Sequence, residues 1–373
     1  MDQVRYGIIG YGKIGSQHVK KILEGKVPSL KLCAIADTDP ARVKAAQEVL
    51  GGAVQYFDSA EALMDSGAVE AVHICTPHYL HPSLAIYALE HGLHTLVEKP
   101  AGVYTRQVRR MNAVAMKHPE LRFAMDFNQR TDPVYVKARE LVKSGAIGRI
   151  VHTHWLITNW YRSQSYYDQG GWRATWKGEG GGVLLNQNPH NLDMWQWIVG
   201  MPCRVKAQVY YGRHRKIEVE DDVVAMAEFP DGGIGTYITT VIDAPGTNRL
   251  EIDGTRGRMV VENGKIHLDQ LEMEEPEFNA VWTKGLGKPK MQSFDVAVEG
   301  EYTSHPGIME NFCQSVLTGV PLYADGLEGI NGLEISNAIH LSDWTDGDWV
   351  DVPVDEERFC ALLKEKCGGE LPE

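Results

Sequence analysis

Basic charge is scarce in this chain. Its 373 residues carry 37 Lys and Arg against 50 Asp and Glu, a formal net charge of −13. An acidic surface repels phosphate backbones and anionic lipid, so neither nucleic acid nor a membrane is expected as a partner. Long apolar runs are missing as well. No stretch of 18 apolar residues occurs, and the N-terminus lacks a basic segment followed by an apolar one. A cytoplasmic location is expected. Cysteine is sparse and unpatterned: Cys33, Cys75, Cys203, Cys313, Cys360 and Cys367 include no pair with metal-ligand or redox spacing. A disulfide scaffold is thereby excluded, and no metal site is expected. With 43% hydrophobic residues, the chain has ample material for a core, which excludes disorder as the main state.

The first third alternates short apolar runs with helical patterns. Strands are expected at Val4–Ile9, Leu30–Ala36, 69–75, 95–97 and Phe123–Met125, most of them apolar on both faces. Such strands suit a parallel sheet covered on both sides. Asp39-Pro40 supplies an N-cap and a first helical residue for a helix over 41–50, and further helical spacing covers 82–90 and 106–117. This βαβα rhythm predicts a doubly wound α/β domain over residues 1–127. Beyond it the rhythm changes. A helix is expected to start at Asp132-Pro133 and end at Gly145, followed by a Trp/Tyr-rich stretch over 155–176. Strands then follow at 205–211, 223–229, 234–241, 249–253 and 258–262. Asp231-Gly232-Gly233 is a hairpin signal, so a large, mostly antiparallel open sheet is expected within residues 128–373. Surface loops are expected at 272–277 and 284–290, and two closing helices around 307–318 and 329–341.

Gly10-Tyr11-Gly12-Lys13-Ile14-Gly15 directly follows the first strand and opens a helix. Gly10 permits the tight turn, Gly12 lets the backbone approach a pyrophosphate, and Gly15 allows close helix–strand packing. The new helix points unsatisfied N–H groups at the phosphates. Asp37 ends the second strand, where a carboxylate accepts both ribose hydroxyls and repels a 2′-phosphate, favouring NAD over NADP. Glu98-Lys99-Pro100 follows the fifth strand, at the carboxyl end of the sheet. A Lys there is placed to hold a substrate hydroxyl and stabilise developing alkoxide charge. In the second half, three glycines lead into Val183-Leu184-Leu185-Asn186-Gln187-Asn188-Pro189-His190. Asn188-Pro189 reads as N-cap and first residue of a helix to Val199, with His190 in its first turn and Asp193 beside it.

Together these stretches resemble the Gfo/Idh/MocA family of sugar oxidoreductases. The resemblance rests on Gly7–Gly15, Asp37, Cys75-Thr76-Pro77 with His81, Glu98-Lys99-Pro100, and Gly180–Asp193. It continues in the tail from His305 and Phe312 through the last helix. It implies an α/β plus α+β protein: an N-terminal Rossmann domain that binds NAD through Gly10, Gly12, Lys13, Ile14, Gly15, Asp37, Thr76, Pro77, His81, Glu98 and Lys99, and a C-terminal substrate-binding and oligomerisation domain. Hydride passes between a secondary carbinol carbon of a sugar and the nicotinamide, with His190 as general base and Lys99 on the same oxygen. Relatives place an Asp four residues before that His; Asn186 stands there, so its role falls to hydrogen bonding or passes to Asp193. His78 stands where many relatives have Asn. Trp160, Tyr161, Arg162, Trp172, Arg173 and Trp176 form a segment suited to sugar recognition. The aromatic segment with Leu185-Asn186-Gln187 looks most like enzymes acting on glycosides. Oxidation at C3 of a glucosyl unit, giving a 3-keto-glycoside for a partner lyase, is the leading specific expectation, with tightly held NAD and a homo-oligomeric assembly. Two alternatives stay open: an NAD-dependent glycosidase or lyase with transient oxidation, and a non-catalytic NAD-dependent sugar sensor.

Overall fold

The computed structural model describes residues 3–372. The described chain forms two compact units: residues 3–131 with 303–333 and 370–372, and residues 132–302 with 334–369.

The first unit is wound around a six-stranded parallel sheet. Along the chain come β1 (Val4–Ile9), α1 (Lys13–Leu23), β2 (Leu30–Ala36), α2 (Pro40–Leu50), β3 (Gln55–Phe57), α3 (Ala60–Asp65), β4 (Ala71–Ile74), α4 (Leu80–Glu90), β5 (His94–Val97), α5 (Thr105–Ala115) and β6 (Phe123–Met125). The strand order is β3-β2-β1-β4-β5-β6, with the reversal beside β1 that defines the doubly wound fold. The expected elements form at the expected places, and Asp39 caps α2 by accepting from the Ala41 N–H. The short strand β3 escaped sequence reading, because three residues at a sheet edge carry too little periodicity.

The second unit begins with α6 (Pro133–Lys143), capped by the Asp132 side chain on the Val134 N–H. Then follow β7 (Ile150–Ile157), the short α7 (Gln164–Tyr167), a π-helical turn at Val183–Gln187 and α8 (Pro189–Val199). After α8 come β8 (Arg204–Tyr211), β9 (Glu220–Glu228), β10 (Ile234–Thr240), β11 (Asn248–Gly254), β12 (Gly257–Glu262), β13 (Lys265–Leu271), α9 (Glu275–Val281) and β14 (Met291–Val296). Next, α10 (Ser304–Thr318) returns to the first unit, against α1, β1 and β2. A linear division at residue 127 leaves out this return. The tail, α11 (Gly329–Trp344), β15 (Val350–Asp351) and α12 (Glu356–Lys366), closes the chain.

The nine-stranded sheet runs β14-β13-β12-β11-β7-β10-β9-β8-β15. All its pairs are antiparallel except β7 with β10. Four of its strands, β7, β13, β14 and β15, were not foreseen. β7 alternates buried residues with His152, His154 and Leu156, so it shows no continuous apolar run, although it lies at the centre of the sheet. The acidic stretch 272–277 expected as loop contains the start of α9.

Candidate functional site

In the first unit the cofactor elements assemble as a cradle. A Cβ on Gly15 would lie 2.0 Å from the Gly10 carbonyl oxygen, so α1 can sit this close to β1 only with glycine there. Gly10 has φ +96°, and a Cβ on it would meet the Cys75 carbonyl at 2.7 Å. A Cβ on Gly12 would reach only Arg42 Nη1, at 3.8 Å, and no side chain caps α1, which leaves its first N–H groups for an anion. Lys13 is exposed beside this terminus. Asp37 is buried at the end of β2. Its carboxylate accepts from Tyr11 N at 2.7 Å and Asp39 N at 2.9 Å, which keeps lone pairs for further donors. Arg42, half-exposed on α2, stands 3.6 Å from the same carboxylate. This residue has no sequence signal, and it is the type that accepts a 2′-phosphate. The donor set and the open turn fit a dinucleotide.

Two residues expected at the cofactor make buried contacts within the unit. The ring nitrogens of His81 lie 2.7 Å from the Pro100 carbonyl and 2.8 Å from the Thr76 carbonyl, so this buried imidazole ties the loop after β4 to the loop after β5. Glu98 is turned inward: it meets His18 Nε2 at 2.7 Å and accepts from the Lys99 backbone N–H at 3.1 Å. Burial pushes the Glu98 carboxyl up, but His18 outweighs it and holds the carboxyl well below its ordinary value. Thr76 and Pro77 remain at the loop surface, and Lys99 is half-buried.

In the second unit the three glycines seat the π-helical turn. A Cβ on Gly182 would approach the Glu220 backbone oxygen to 2.0 Å. The Glu220 side chain, fully buried, accepts from Gly182 N at 2.8 Å and Leu184 N at 3.0 Å. This turn carries Asn186, and it delivers the chain into α8 with His190 buried in the first turn. Asn188 does not cap α8. Its amide donates to Thr239 Oγ1 at 2.8 Å and its oxygen accepts from Tyr237 Oη at 3.0 Å, so it anchors the turn to the sheet instead. Asp193 is buried and accepts from Gln196 Nε2 at 2.9 Å.

Glu179 has no sequence signal, yet it meets the departure at Asn186. The Asn186 side-chain amide donates to Glu179 Oε1, while Glu179 Oε2 accepts from Ala174 N at 2.6 Å and Arg173 Nη1 lies 3.8 Å from Oε1. Burial raises the Glu179 carboxyl despite these donors. Ala174 itself holds φ +55°, a left-handed backbone unusual outside glycine. Of the aromatic segment, Trp160 donates to Asn191 Oδ1 at 3.2 Å. The guanidiniums of Arg162 and Arg173 each lie 5.1 Å from the Tyr166 ring centre, and Arg173 also covers Trp172 at 4.7 Å. Tyr161 is exposed. Trp176 is buried against Tyr211, His340 and Trp344, with ring centres 5.5–5.8 Å away.

Residues 4–126 match the oxidoreductase family with an NAD-binding Rossmann fold, and residues 135–260 match the GFO/IDH/MocA C-terminal domain. The chain belongs to the Gfo/Idh/MocA family. It is an NAD-binding oxidoreductase of the two-unit form characteristic of that family. Among its relatives, inositol 2-dehydrogenase from Rhizobium meliloti is 24% identical over 341 residues, covering 90% of this chain and 95% of that protein. Levoglucosan dehydrogenase from Pseudarthrobacter phenanthrenivorans is 26% identical over 292 residues, 70% of this chain and 74% of that protein. The WlbA dehydrogenase from Chromobacterium violaceum, solved with NADH and UDP-GlcNAcA, superposes with a TM-score of 0.80 at 26% identity, covering 95% of this chain and 97% of that one. No described helix of this Gfo/Idh/MocA chain is long and apolar enough to cross a membrane.

Proposed function

We propose that this enzyme oxidises a secondary alcohol of a sugar or glycoside, with C3 of a glucosyl unit as the leading position and a 3-keto-glycoside as product. Gly10, Gly12, Gly15 and Asp37 would hold NAD, which would supply the hydride acceptor. His190 takes the carbinol proton, and Lys99 hydrogen-bonds the same oxygen and stabilises its charge. Asp37 holds the ribose hydroxyls and selects NAD. Trp160, Arg162, Trp172 and Arg173 present rings and donors to the sugar. Relatives named for inositol and levoglucosan support a polyhydroxylated ring as substrate.

The observation that carries the reading is the coupling of Asn186 to Glu179. The hydrogen bond from the Asn186 amide to Glu179 fixes which way this side chain faces, with its carbonyl oxygen on the opposite side. There it accepts from the imidazole or from a sugar hydroxyl, the orienting task that an Asp performs at this place in relatives. Arg173 and the Ala174 N–H hold Glu179 in position for this.

The test is a panel of free and glycosylated hexoses with NAD, following cofactor absorbance and product mass together. A product two mass units lighter with reduced cofactor is expected. Lys99→Ala and His190→Ala should still bind NAD and lose roughly two to four orders of magnitude in turnover. Wild-type turnover in either variant overturns its assigned role, and aglycone release with the cofactor unchanged moves the reading to a glycosidase or lyase.

A further inference from the structure

Arg213-His214-Arg215-Lys216 is a basic run in a chain whose formal net charge is −13. It lies in the loop between β8 and β9, and buried hydrogen bonds fix the shape of that loop. The fully buried Asp221 carboxylate accepts from the backbone N–H groups of Arg213, His214 and Arg215 at 3.2, 2.7 and 3.0 Å. The loop is also tied to the aromatic segment. Lys216 N donates to Gln164 Oε1 at 2.8 Å, and Arg215 Nε donates to the Arg162 carbonyl at 2.7 Å. Arg162 Nη1 in turn donates to the Tyr161 carbonyl at 2.9 Å. Two guanidiniums are thus held on consecutive backbone carbonyls. Aromatic rings back both of them: Arg215 lies 5.4 Å from the Tyr161 ring centre, and Arg162 lies 5.4 Å from Trp160 and 5.1 Å from Tyr166.

Neither guanidinium stands in an ion pair among the described residues. The carboxylates nearby are engaged elsewhere: Asp221 on the loop N–H groups, Asp222 at 3.3 Å from His214, and Glu179 at 3.8 Å from Arg173. A guanidinium offers five N–H donors in a fork that matches a carboxylate or a phosphate. Backbone carbonyls take one donor from Arg162 and two from Arg215. Arg162 Nε is buried and meets no hydrogen-bond partner among the described residues, and such atoms are rare enough to call for a ligand. Arg173 and Lys216 line a cavity of about 390 Å³, but Asp168 and Glu218 line it with them. That balance of charge suits neutral hydroxyls, whereas the two unpaired guanidiniums suit an anion.

We propose that Arg162 and Arg215 clamp an anionic substituent, a carboxylate or a phosphate, on the sugar or glycoside that this enzyme oxidises. Resting on the reading that the aromatic segment faces the sugar, the clamp adds a charge requirement to the substrate. Uronides or sugar phosphates become good members of the class and neutral glycosides poor ones. Guanidiniums already seated on carbonyls and rings lose little freedom on binding, and they supply a local positive field on an otherwise acidic protein.

Matched pairs of substrates test the clamp: methyl glucoside with methyl glucuronide, and glucose with glucose 6-phosphate, each with NAD. Wild type should favour one charged member over its neutral counterpart by about tenfold to a hundredfold in kcat/KM, the worth of a hydrogen bond to a charged group. Whichever pair shows the preference names the anion. Arg215→Gln, checked for folding by circular dichroism and NAD binding, should lower the preference by the same factor, and Arg162→Gln repeats the measurement on the other fork. Arg215→Lys, which keeps the charge without the fork, should retain part of it. Equal kcat/KM within both pairs in wild type overturns the clamp, as does folded Arg215→Gln protein that keeps the preference. Calorimetric titration of the NAD-loaded protein with methyl glucuronide and glucose 6-phosphate separates the clamp from the chemistry. If no probe is oxidised, the proposed oxidation fails, while binding that Arg215→Gln weakens tenfold or more still supports the clamp. Absent binding, or binding that Arg215→Gln leaves unchanged, overturns it.

Discussion

At the residue scale, specificity for the cofactor turns on two neighbours of opposite charge. In the proposed reading Asp37 repels a 2′-phosphate, whereas Arg42, 3.6 Å away, is of the type that attracts one. Wild-type protein should bind NAD more tightly than NADP. Asp37→Ala should narrow the gap from both sides, because it removes the ribose acceptor and frees the guanidinium. Equal affinity of the wild type for the two cofactors, measured by titration, would remove Asp37 from this role. Glu179 gives a second test, through pH. Burial raises its carboxyl, so it ionises above the usual carboxylate range, and only then is Glu179 a pure acceptor for the Asn186 amide. Activity should rise with pH through that step. Glu179→Gln should abolish the step and cost roughly tenfold to a hundredfold in turnover, the worth of one charge-assisted hydrogen bond. A variant that keeps the step shows that another group titrates there.

At the element scale, the π-helical turn Val183–Gln187 is the piece that places Asn186, and its shape depends on backbone proximity. Gly182→Ala puts a Cβ 2.0 Å from the Glu220 carbonyl oxygen. The clash should cost about 1–3 kcal/mol of stability and lower turnover by displacing Asn186, while NAD binding in the other unit persists. Denaturant unfolding and cofactor titration on the same sample check both halves; unchanged stability would mean that the turn yields easily. The same element shows how far local sequence reaches. Glycines before a polar run are visible in the chain, and Asn188-Pro189 marks the start of α8 correctly. What Asn188 does with its side chain is not visible, because its partners Thr239 and Tyr237 lie about 50 residues away.

At the scale of the whole molecule, the first unit is discontinuous. Helix α10 returns to it after the chain has built most of the second unit, and Phe312 packs edge-on against Tyr6 with ring centres 6.3 Å apart. Both side chains are fully buried. Phe312→Ala should therefore cost about 3–5 kcal/mol in unfolding and weaken NAD binding, although it lies far along the chain from the glycine turn. Wild-type stability in this variant would mean that the helix contributes little to the unit.

Residue order alone determined the doubly wound unit, the cofactor turn and the starts of α2, α6 and α8. These depend on periodicity, on glycine and proline conformation, and on caps that act over two or three residues, so the information is local. The central strand β7 was hidden because it alternates core residues with histidines and gains its place from β10 and β11, about 80 and 100 residues later. The burial of Trp176, the union of Glu179 with Asn186 and the gathering of His18, His73, Glu98 and Asp126 were decided only by tertiary structure. Trp176 is chemically as fit for a sugar surface as for a core, and only its packing against Tyr211, His340 and Trp344 separates the two. His18 lies on α1, His73 on β4, and Glu98 and Asp126 just after β5 and β6, with no spacing that betrays them in the chain. A buried polar cluster assembled across parallel strands is created by the register of the sheet, and register is a property of the folded chain.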